Sequence, residues 1–143
     1  MKLSFLSSEQ SYGSKKKHIF NPDRLNQRLN YCNLRWDKIT PTDIDGFIDF
    51  KNQVFVFFEI KYKDNEMPQG QELALERLVD NLLEAKKKTI LIIASHDIDD
   101  PMEDIDVSLC QVEKYRYKNK WILIENSLTL IDLINSFKNK FTK

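Results

Sequence analysis

At 143 residues the chain is long enough for one domain with a real core, and 22 basic against 22 acidic residues leave no net charge. That balance removes any global electrostatic case for nucleic-acid binding and leaves only a local basic face. Two distant cysteines, Cys32 and Cys110, argue against a disulfide framework, and no run has the apolar length of a signal-peptide core or a membrane span, so a soluble cytoplasmic protein is expected.

Residues 1–20 read as a polar arm that carries Lys15, Lys16 and Lys17. Asn21-Pro22 then has the form of a helix start, an N-cap side chain followed by proline at the first helical position. Leu25, Leu29, Cys32 and Trp36 follow at helical spacing, which predicts a helix over about 22–34. The period changes at Phe47, Ile48 and Phe50. This short run, the turn Lys51-Asn52-Gln53 and the sequence VFVFFEIKY predict an antiparallel hairpin. Beyond a loop with Pro68 and Gly70, the leucines at 73, 75, 78, 82 and 83, with Val79, make the apolar stripe of a helix over about 70–87. TILIIAS, residues 89–95, is almost wholly apolar and predicts a strand covered on both faces. An acidic loop at 96–106 leads to a strand at 107–117, a turn at Lys118-Asn119-Lys120, a strand at 121–125 and an amphipathic helix at 127–141 with Ser127 as its N-cap. The order predicts an α/β sandwich with a mixed central sheet flanked by helices, as a single domain over residues 1–143.

Charge on the apolar hairpin is the feature that needs a reason. On a strand Glu59 and Lys61 share a face, with Ile60 opposite. Asp45 and Glu59 both lie seven residues from Asn52, so a turn near that point sets them across the ladder from one another. Two adjacent carboxylates repel unless a proton or a cation intervenes. Mg²⁺ satisfies such a pair, because it prefers oxygen ligands and retains waters that a phosphate can replace. A lysine beside the ion can orient or help deprotonate a water, and these requirements describe metal-assisted phosphodiester hydrolysis. The bland counterparts are a surface ion pair for Glu59-Ile60-Lys61 and a tight turn for Asp45-Gly46.

Asp45-Gly46 followed by Glu59-Ile60-Lys61 resembles the D…ExK signature of the PD-(D/E)XK nuclease superfamily. The usual proline-aspartate step is replaced here by Pro41-Thr42-Asp43-Ile44-Asp45-Gly46. The resemblance runs over roughly residues 22–95, about half the chain, and implies a restriction-endonuclease-like three-layer sandwich whose core is a helix, a three-strand meander, a helix and a strand. It also implies that Asp45 and Glu59 bind Mg²⁺, or Mn²⁺ in its place, that the Ile60 carbonyl is a further ligand, and that Lys61 stands near the attacking water. Gln71 matches the polar residue that many relatives carry at the start of the next helix, with Gln69 as the less favoured candidate. Asp43 and Asp49 compete with Asp45 for the first position. Some relatives have an acidic ligand in the first helix. Here that stretch holds only Asp23, with Glu9 in the preceding arm, so the number of metals stays open.

The implied function is a metal-dependent DNA endonuclease of a bacterium or a phage-infected cell. With no evident target-recognition domain it resembles enzymes acting on branched, recombination or repair intermediates, and a resolvase-like role implies a homodimer. The alternative is a nuclease-fold module without turnover that binds nucleic acid or a protein partner. Lys15, Lys16, Lys17, Lys114, Arg116, Lys118 and Lys120 are the candidate phosphate contacts, with Tyr115, Tyr117 and Trp121 interleaved. His18 and His96 read as surface histidines, residues 97–106 as a solvated loop, and both cysteines as small core residues.

Overall fold

The computed structural model describes residues 27–142, which divide into two units between Pro41 and Thr42. The arm with Lys15, Lys16 and Lys17, together with the helix start at Asn21-Pro22, lies outside the described residues. Residues 27–34 do not continue the expected helix, and the first unit contains turns and one bridge between Trp36 and Ile39. Asn30 accepts the Cys32 N–H on its side chain at 2.9 Å, the local competitor to helical bonding that asparagine supplies. Leu29 and Trp36 are exposed, so their spacing does not mark a buried helix face, and short helices depend on such burial. Cys32 is also exposed rather than a core residue, whereas Cys110 is buried.

The second unit is an α/β fold. Its elements are β1 (Gly46–Phe50), β2 (Val54–Tyr62), α1 (Gln69–Glu84), β3 (Lys88–His96), a 3-10 turn (Val107–Leu109), β4 (Gln111–Tyr117), β5 (Lys120–Leu123) and α2 (Leu130–Phe141). The five strands lie side by side in chain order. β2 and β3 run parallel, joined through α1, and the other neighbours are antiparallel. The described residues place two antiparallel strands before α1, where the resemblance led to the expectation of three. No helix among the described residues is long and apolar enough to cross a membrane.

Alternation along β2 and β3 builds a core on each face of the sheet. Val54, Val56, Ile90 and Ile92 pack with Val112 against Leu130, Ile134 and Phe137 of α2. Phe57, Leu91 and Ile93 pack against Leu75 and Val79 of α1. Ile90 to Ala94 are all sealed from solvent, as a strand covered on both faces requires.

Both hairpin turns use a Lys-Asn pair in the left-handed region, Lys51-Asn52 and Lys118-Asn119, which matches the right-handed twist of the strands. Two expected boundaries shift. Residues 107–109 leave the strand because the Asp106 carboxylate accepts the Ser108 N–H at 3.1 Å and caps a 3-10 turn. Thr129, not Ser127, caps α2 by accepting the Asp132 N–H, while the Ser127 hydroxyl donates to Gln111.

Gly46 is a strand residue, not a turn residue, and no described glycine has positive φ. Glycine is needed because the ring of Phe58, its cross-strand partner, lies where a side chain would be, with a built Cβ only 2.0 Å from the ring Cζ. Gly46→Ala is therefore expected to lower the unfolding free energy by about 1–3 kcal/mol, read from urea denaturation. An unchanged midpoint would show that the ring moves aside without cost.

Candidate active site

The hairpin register brings Asp45 beside Glu59. β1 and β2 pair from Phe50↔Val54 to Gly46↔Phe58, and the next step along that ladder sets the two acidic residues opposite each other. They close the hairpin end reciprocally. The Asp45 N–H donates to Glu59 Oε2 at 3.0 Å, and the Ile60 N–H donates to Asp45 Oδ2 at 2.7 Å. A strand residue aims its N–H and C=O at the same neighbour, so the Ile60 carbonyl faces the Asp45 edge.

Odd-numbered residues of β2 face α1, which puts Glu59 and Lys61 on one side of the sheet. Gln71, in the first turn of α1, completes the group. Its Nε2 donates to Glu59 Oε1 and, at 3.1 Å, to the Asp43 carbonyl. The three competing aspartates are thereby separated. Asp45 gives the carboxylate beside Glu59, Asp43 is tied to the group through its backbone, and Asp49 accepts the Asn52 N–H at 2.6 Å inside the turn.

Glu59 is only 4% exposed, whereas Asp45 is open to solvent. Burial, followed by the neighbouring Asp45 side chain, pushes the Glu59 carboxyl up to about 7, against lowering by the hydrogen bonds from the Asp45 amide and Gln71. A buried carboxyl held this high is one that a cation beside it would convert to its charged form. Among the described residues no three His, Cys, Asp or Glu side chains converge. Two carboxylates and a backbone carbonyl do not form an all-protein cage. They are a donor set that suits Mg²⁺, which commonly keeps water and substrate oxygens in its remaining positions.

Lys61 shares the Glu59 face but reaches sideways. Its ammonium lies 2.9 Å from Glu113 Oε1, at a cleft of about 560 Å³ lined also by Glu66, Gln69, Glu72 and Lys114. Gln69 therefore belongs to the cleft wall, and Gln71 to the carboxylate pair. Glu113 was not singled out from sequence. It reaches this face through a β-bulge, because β3 pairs Ile93 with Lys114 but Ala94 with Val112, leaving Glu113 between. One signal was available: Val112 and Tyr115 face the same core although three residues apart, which breaks the period of two.

The basic cluster has mixed fates. Lys114 pairs with Glu72 at 2.6 Å, and Arg116 forks onto Asp80 at 3.0 and 2.8 Å, so both fasten α1 to the sheet. Tyr115 and Tyr117 pack into the α2-side core, and Trp121 into the α1-side core with its indole N–H on Glu76. They are packing residues, not exposed stacking platforms. Lys118 and Lys120 remain exposed at the β4–β5 turn. His96 accepts the Ile98 N–H, and the acidic loop is tied locally through Lys63–Asp99 at 2.7 Å and Asp100 to the Met102 N–H. No protein-family model, curated protein or solved structure matches the chain.

Proposed function

We propose that the protein is a Mg²⁺-dependent deoxyribonuclease of the PD-(D/E)XK type, with a restriction-endonuclease-like sandwich. One observation carries this reading: Asp45 and Glu59 lie side by side at a hairpin end with Gln71 on Glu59 and Lys61 on the same face. Asp45, Glu59 and the Ile60 carbonyl would hold the ion, which when bound supplies charge neutralisation at the phosphoryl oxygen and the departing alkoxide. Gln71 fixes the Glu59 carboxylate in one orientation. A cation at the pair would favour the charged form of Glu59, its proton passing to solvent. Lys61 supplies an ammonium that orients the attacking water or a phosphate oxygen from the cleft side. Branched and repair intermediates are the proposed substrates, cut by a homodimer.

The test is cleavage of plasmid, linear, single-stranded and branched DNA by the purified protein with Mg²⁺, Mn²⁺ or EDTA. Cutting that depends on the metal supports the reading, and equal cutting in EDTA removes it. A second reading is a module of the same fold without turnover, in which the Lys61–Glu113 ion pair at 2.9 Å only fastens the sheet. Calorimetry separates the two, since that module binds no Mg²⁺ through Asp45 and Glu59.

A further inference from the structure

The bulge in β4 has an effect on the site that the D…ExK pattern does not contain. In a regular strand Glu113 and Lys114 would face opposite sides of the sheet. Here both reach the α1 face, Glu113 to Lys61 at 2.9 Å and Lys114 to Glu72 at 2.6 Å. Glu72 directly follows Gln71, so one irregularity in β4 braces both the strand with Glu59 and Lys61 and the helix start that orients Glu59. The Glu113 backbone is fixed as well, since its carbonyl accepts the Ile124 N–H at 2.8 Å. Its Oε2 atom is buried without a hydrogen-bond partner.

Lysine is a point charge on a flexible four-carbon stem, so its ammonium has no defined position unless something holds it. The Lys61 side chain is 19% exposed, and Glu113 is its ion-pair partner. We infer that Glu113 is a positioning residue for DNA cleavage: it fixes the Lys61 ammonium at the cleft so that the lysine meets the substrate in one geometry. The inference rests on the nuclease reading above. Glu113 touches neither the carboxylate pair nor the reacting atoms in this scheme and acts only through Lys61.

The experiment is steady-state cleavage by Glu113→Gln, Glu113→Ala, Lys61→Ala and the Glu113→Gln/Lys61→Ala double variant. Glu113→Ala is expected to lower kcat by about 10–100-fold, the scale set by a small misplacement of a reacting group, with KM nearly unchanged. Glu113→Gln keeps the shape and one acceptor, and recovers part of that loss. The double variant should be no slower than Lys61→Ala alone, because Glu113 has nothing left to position. An unchanged or raised kcat in Glu113→Ala, or losses that multiply in the double variant, overturns the positioning role while leaving the nuclease reading intact. A wild-type protein that cuts no DNA with either metal overturns both. Circular dichroism and a melting curve for each variant separate loss of fold from loss of rate.

Discussion

Replacing Glu59 by glutamine is expected to reduce Mg²⁺-dependent cleavage at least about a thousandfold, a loss of roughly 4 kcal/mol of transition-state stabilisation. Glu59 is the buried member of the pair, held between the Asp45 amide and the Gln71 amide, and no third carboxylate joins the two among the described residues, outside which Glu9 and Asp23 lie. Asp45→Asn should fall nearly as far, since it removes the other carboxylate of the proposed metal site. Asp43→Asn is the discriminating control. Its carbonyl, not its carboxylate, contacts Gln71, so activity should stay within about threefold of wild type. The measurement is kcat/KM on one linear DNA at saturating Mg²⁺, with the fold of each variant checked by circular dichroism. A Glu59→Gln protein retaining more than a tenth of the activity would sink the two-carboxylate site. Equal losses at Asp43 and Asp45 would show that the wrong aspartate has been placed beside Glu59.

What sequence made legible follows from how local each cause was. The equal distance of Asp45 and Glu59 from Asn52 foretold their juxtaposition, because a hairpin register depends only on its turn. The position of β3 was readable because a strand buried on both faces must be apolar throughout. The stretch at 27–34 misled because helical spacing alone does not form a helix where its apolar residues stay exposed and Asn30 bonds the backbone locally. Lys114 and Arg116 resembled a phosphate-binding cluster, yet their partners are 42 and 36 residues away on α1. No neighbouring residue announces such a pairing. Glu113 lay beyond the recognisable motif for the same reason: its place depends on a bulge fixed by β3 and β5 together, and only the broken alternation at Val112 and Tyr115 hinted at it.

The raised Glu59 carboxyl would link the proposed Mg²⁺ binding to pH. Its ordinary value of 4.5 rises to about 7 in the folded protein. Between those values the folded state retains a proton that the unfolded chain has lost, so metal-free stability falls as pH rises through this window. The full linkage would be about 3 kcal/mol; with the exposed Asp45 side admitting water, about 1–2 kcal/mol is expected between pH 5 and pH 8. A divalent cation competes with that proton. Mg²⁺ should therefore bind weakly at pH 5.5 and tightly at pH 8, releasing a proton on binding, and should stabilise the fold most where the metal-free protein is least stable. Glu59→Gln removes the titrating group, so it should flatten the pH slope and abolish the Mg²⁺-induced rise in Tm, while keeping a metal-free stability at pH 8 no lower than wild type. Urea denaturation and melting curves at pH 5.5, 7 and 8, each with and without Mg²⁺, provide the measurement. A Mg²⁺ effect of equal size at pH 5.5 and pH 8 would place the ion away from Glu59. Stability that rises with pH in the wild type but not in Glu59→Gln would reverse the sign of the linkage and show that Glu59 is held charged without any metal.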